Sequence, residues 1–121
     1  MRDGGTNPTA AAVGLLRMLD ALDESTRTAA VQFLAGMQTD EGGLRANTKI
    51  PVADLLSTFT GLVALADLDA LSAIDTGAVM RFAKSLEQPD GGFRGGIWDD
   101  TADVEYTFYG LGTLALAGKV A

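Results

Sequence analysis

The feature that most constrains this chain is a gapless repeat at a spacing of 49 residues. Asp103, Thr107, Phe108, Gly110 and Leu111 fall on Asp54, Thr58, Phe59, Gly61 and Leu62. The preceding glycine turns match at the same offset, Gly91-Gly92-Phe93-Arg94 over Gly42-Gly43-Leu44-Arg45, and Phe82 lies over Phe33. A third, partial copy opens the chain, because Leu19-Asp20-Ala21-Leu22 lies over Leu68-Asp69-Ala70-Leu71. A constant period of this length means one supersecondary unit used repeatedly, each burying its apolar face on its neighbour.

Each unit reads as a helical hairpin. Met1 to Gly5 is a short polar start, expected to fray. Thr6-Asn7-Pro8 predicts a helix start, a capping side chain followed by an early proline. That helix is expected to run to about Leu22. Its Val13, Leu15, Leu16, Met18 and Leu19 cover more than one face, the pattern of an inner helix. Asp23 is expected to cap a second helix, Glu24 to Gln38, with one apolar stripe through Ala30, Phe33, Leu34 and Met37. One stripe marks an outer helix. Thr39 to Gly43 then breaks it. Asp54 starts a third, inner helix to about Leu68. Asp75-Thr76 starts a fourth, outer helix to about Glu87. The stretch Asp99 to Ala117 supplies an acidic entrance and a fifth, inner helix. No stretch alternates apolar and polar residues over a strand's length, so an all-α fold without a sheet is predicted. The chain reads as a single domain, 1–121, of about two and a half inner/outer helix pairs.

Bulk properties exclude several functions. Apolar residues make up 47% of the chain, which excludes disorder. A net charge of −7 argues against nucleic acid or an anionic membrane as partner, since both require clustered Lys and Arg. There is neither Cys nor His, so no disulfide can form and the two best zinc ligands are missing. No apolar run approaches the ~20 residues of a bilayer span, and a cytoplasmic location is expected.

The segment Gln88-Pro89-Asp90-Gly91-Gly92-Phe93, followed by Asp103-Val104-Glu105-Tyr106-Thr107-Phe108-Tyr109-Gly110-Leu111, resembles the prenyltransferase and squalene-cyclase repeat family. The second half is especially similar to the last repeat of protein geranylgeranyltransferase β subunits. The resemblance extends over nearly the whole chain from about Pro8. It implies an α/α toroid whose inner helices surround an isoprenoid-binding cavity. Five helices cannot close such a ring. The cavity is then expected to be completed by a second copy or by the remainder of a longer chain. The β subunits of that family hold a catalytic zinc through Asp, Cys and His. Their D-x-C-Y-S-F pattern falls on Asp54 to Phe59, leaving the Asp but placing Leu56 at the Cys position. Their D-x-x-H-T pattern falls on Asp103 to Thr107, placing Tyr106 at the His position. No zinc or other cofactor is therefore expected in this chain.

The candidate site residues each carry two readings. Asp99-Asp100-Thr101-Ala102 resembles the acid motif of class II terpene cyclases, with Ile97 in place of the first aspartate. That would make Asp99 an alkene-protonating acid beside Asp100, with Asp103 and Glu105 adding negative charge at the same helix start. The plain alternative is a capping cluster at the positive end of a helix dipole. Asp54 is either a rim acid at the cavity mouth or a repeated N-cap. Phe59, Trp98, Tyr106, Phe108 and Tyr109 either line an isoprenoid pocket or fill ordinary core. Arg45, Lys49 and Arg94 either bind a diphosphate or are loop salt bridges and solvated side chains. Prenyl transfer or isoprenoid binding without zinc is the leading functional expectation. The alternatives are terpene-cyclase-like acid catalysis and a non-catalytic repeat module for protein binding or oligomerisation.

Overall fold

The computed structural model describes residues 4–119. It contains five α-helices: α1 (Thr6–Met18), α2 (Glu24–Ala35), α3 (Leu55–Asp67), α4 (Thr76–Ser85) and α5 (Val104–Gly118). A short 3-10 turn, Leu71–Ala73, precedes α4 and has no counterpart in the sequence reading. Among the described residues there are isolated β-bridges but no strands. The frayed start expected over Met1–Asp3 lies outside the described residues. Gly5, however, pairs with Asn47 in one of the bridges and is tied down.

Aspartates cap four of the five α-helices, the outer α2 and α4 and the inner α3 and α5. Asp23, Asp54, Asp75 and Asp103 accept from the backbone N–H of Thr26, Ser57, Ala78 and Tyr106 respectively. Each satisfies a donor that the helix itself leaves unpaired. The first helix departs from this pattern. Its N-cap is Gly5 without a side-chain cap, and the Thr6 hydroxyl instead donates to Arg45 O at 2.6 Å. A long-range partner took the hydroxyl that the local pattern assigned to a cap.

The first helix also ends at Met18 and not near Leu22. Asp20 adopts φ 53°, and Asp69 one repeat later adopts φ 54°. Ala21 N donates back to Leu16 O and Asp20 N to Arg17 O, at 2.8 and 3.1 Å. Ala70 and Asp69 repeat the arrangement on Leu65 and Ala66. This is a left-handed helix stop with Asp in the place glycine usually takes. The outer helices end earlier than expected too, at Ala35 and Ser85, because the chain then folds back. Arg45 N donates to Met37 O and Arg94 N to Leu86 O, both at 3.0 Å.

The glycine turns are docked on the next inner helix through a threonine. Thr58 Oγ1 accepts from Leu44 N at 2.9 Å and donates to Asp54 O at 2.7 Å. Thr107 Oγ1 does the same for Phe93 N and Asp103 O, at 3.3 and 2.8 Å. α3 lies at the centre, with α1 on one side and α5 on the other. α2 leans on both α1 and α3, whereas α4 packs chiefly on α5. Leu34, Leu44, Leu55, Leu62, Leu65, Val79 and Leu86 are fully buried. Each such side chain contributes about 1.5–3 kcal/mol of apolar burial.

Gly42 and Gly91 occupy equivalent places with φ 104° and 103°. A Cβ on Gly42 would sit 2.3 Å from Ala78 O, whereas one on Gly91 would meet nothing within 4 Å. Gly91→Ala is therefore expected to cost only backbone strain, about 1–3 kcal/mol. Gly42→Ala should cost about 1–3 kcal/mol more, because α4 must also move. Urea denaturation of the two variants checks the difference, which should be absent if the turns were docked alike.

Candidate functional site

The first turns of α1, α3 and α5 converge on one cleft of ≈ 360 Å³. Asn7 comes from α1, Leu56 and Ser57 from α3 and its cap Asp54, and Tyr106 from α5. The two long loops add Ile50, Val52 and Trp98. The repeat explains the convergence. Each loop after a glycine turn crosses the start of the preceding inner helix. Thr6 N donates to Ala46 O at 2.8 Å, and Leu55 N donates to Gly95 O at 2.7 Å. The hydroxyl of Thr60 donates to the Asn7 side-chain oxygen and ties α3 to α1.

Three of the sequence-derived candidates, Asp54, Trp98 and Tyr106, therefore share a cleft. Tyr109 and Phe59 continue from it along the inner helices. Tyr106 meets Tyr109 edge-on with ring centroids 6.5 Å apart, and Tyr109 lies 5.5 Å from Phe59. Asp103 caps α5 beside a separate shallow pocket with Gly92, Ala102 and Thr107. Asp99 is held within its own loop. Its carboxylate accepts from Thr101 N at 3.0 Å and from Gly95 N at 3.4 Å. Arg45 Nη1 donates to Thr48 O at 3.4 Å, within its loop and not in the cleft lining. Ile50, Val52 and Asn7 were not anticipated. The signal available was an aliphatic pair around Pro51 in an otherwise polar loop.

The electrostatics centre on Tyr106. Burial pushes its phenol above the usual 10.0, and the carboxylates of Asp103, Asp99, Asp54 and Glu105 push it further in the same direction. Acids from the α3 cap, the loop before α5 and the start of α5 thus all favour the protonated form of one hydroxyl.

Asp54, Leu56 and Tyr106 stand at the positions where the resemblance puts a zinc ligand set, and all three line this cleft. They do not fit the metal. Asp54 already accepts from Ser57 N and Ser57 Oγ, at 2.7 and 2.8 Å. Leu56 offers no donor atom, and a phenol held protonated is a poor ligand beside the thiolate, imidazole and carboxylate that zinc takes. Among the described residues no group of three or more metal-ligating side chains occurs.

The chain has only two tyrosines, so Tyr106 can be followed directly. The phenolate absorption step lost in Tyr106→Phe should lie above pH 10.0. The native state holds a proton that the unfolded state gives up. Stability is therefore unaffected by this group below pH 10.0 and falls as pH rises from there through the folded value. Alkaline unfolding of Tyr106→Phe should be correspondingly less steep.

No curated protein sequence matches the chain. Comparison with known families matches residues 9–121 to the prenyltransferase alpha-alpha toroid domain. That span includes all five helices but the first turn of α1, the repeated glycine turns and the cleft residues Asp54, Trp98 and Tyr106. The chain belongs to the prenyltransferase alpha-alpha toroid family.

Proposed function

We propose that the chain binds an isoprenoid in the cleft at the rim of α1, α3 and α5, without zinc. One observation carries this reading: the aromatic and aliphatic side chains of Leu56, Ile50, Val52, Trp98 and Tyr106 converge where three repeats meet. Apolar walls with a few polar groups suit a hydrocarbon chain bearing a polar end. Tyr109 and Phe59 extend the aromatic surface inward, and Asp54 stands at the mouth.

The acids decide which polar end is favoured. Asp54, Asp99, Asp103 and Glu105 all act on Tyr106, so a bare diphosphate beside it would meet like charge. A prenyl alcohol avoids that repulsion. A prenyl diphosphate would need a divalent cation to offset it. The protonated Tyr106 hydroxyl is available to donate a hydrogen bond to the ligand's oxygen.

Trp98 is the single tryptophan and lines the cleft, so its fluorescence reports occupancy. Prenyl alcohols should shift its emission to the blue in a saturable way, and prenyl diphosphates should do so only with Mg²⁺. Leu56→Asp and Tyr106→Ala should each weaken the binding by about tenfold or more. Absence of any response up to about millimolar ligand ends the reading for this chain.

A further inference from the structure

We propose that this chain associates head to tail with a second copy of itself, Phe108 on α5 of one copy seating over Gly14 on α1 of the next. The proposal rests on the repeat, which lets the same position be read inside and at the edge of the stack. Thr6 and Leu55 are both 0% exposed, whereas Val104, one repeat on, is 86% exposed. Val13 and Leu62 are 2% and 0% exposed, whereas Leu111 is 59% exposed. Phe108 lies between them and is 61% exposed. Val104, Phe108 and Leu111 share one face of α5, spaced four and three residues apart. That face is the one α1 buries on α3, and α3 buries on α5.

The opposite edge shows the complementary defect. Leu15 is 57% exposed, but its equivalents Ala64 and Thr113 are 1% and 0% exposed. Within the chain, the α3–α5 contact is keyed by a ring over a glycine. A Cβ on Gly112 would sit 2.3 Å from Phe59 Cε1. Phe108 is Phe59 moved forward one repeat, and Gly14 is Gly112 moved back two repeats. Gly14 has nothing within 4 Å of its Cβ position. Among the described residues the knob is therefore uncovered at one edge of the stack and its socket at the other. A second copy continues an interface the chain already contains, which selects it over an unrelated partner. Because knob and socket are different surfaces, the contact is heterologous and propagates until a ring closes or a filament forms.

Sedimentation of the chain from about 1 µM to 1 mM should show the mean mass rising with concentration. Phe108→Asp blocks the knob and Gly14→Glu blocks the socket, each weakening association by at least about tenfold. Gly14 has open space at its Cβ position and Phe108 is more than half exposed, so both variants should keep the wild-type circular dichroism. If Phe108→Asp disturbs its contact with Phe59, Val104→Asp tests the same edge. Mixing a knob-blocked with a socket-blocked variant leaves one intact pair of surfaces and should give a 1:1 dimer that grows no further. A chain that stays monomeric at about 1 mM overturns the proposal. So does a mixture that stays monomeric while the wild type associates, because that result marks a two-fold symmetric contact.

Discussion

The fold depends on a hydroxyl placed against a backbone amide. Thr58 accepts the N–H of Leu44 and returns its own proton to Asp54 O. Thr107 repeats this on Phe93 and Asp103. The turn that carries each amide crosses from an outer helix onto an inner one, and Leu44 and Phe93 beside it are buried. A buried amide without an acceptor costs about 1–3 kcal/mol. Valine would fill the same space but could not accept that bond. The hydroxyl thus joins turn, cap and inner helix in one local arrangement, and repeating it sets the register of the stack.

That register positions the cleft. Because each glycine turn is fixed on the following helix, the loop after it must return across the preceding one. The loop carrying Ile50 and Val52 therefore closes over the start of α1, where Gly5 provides no side-chain cap, and the loop carrying Trp98 over the start of α3, which Asp54 caps. The family's toroid architecture is retained. Leu56 and Tyr106 stand where the resemblance would place two zinc ligands, and they leave that part of the cleft apolar with a single hydroxyl.

Local signals were legible in the sequence wherever they acted over a few residues. The caps Asp23, Asp54, Asp75 and Asp103 bond three residues ahead, so their spacing was enough. The repeat located the inner helices because the same apolar pattern had to be buried each time. Thr6 was misread because its hydroxyl is taken by Arg45, 39 residues away. The end of α1 was misread because Asp20 provides a left-handed stop without glycine, though its recurrence at Asp69 was visible as a repeated tetrapeptide. In the site, Asp54, Trp98 and Tyr106 were found together. The distance of Arg45 from the cleft, and the contribution of Asn7 to it, depended on loop paths that no local pattern encodes.

The left-handed aspartates have a consequence for scale. By halting α1 and α3 after 13 residues each, they make the two helices the same height. At 1.5 Å per residue, that height is about 20 Å. Along α1 and α3 the inner wall thus has the cleft at one end and Asp20 and Asp69 at the other. In the binding mode proposed above, a hydrocarbon lying along α1 and α3 would meet the end of both helices at that mark, set by two residues remote from the cleft itself.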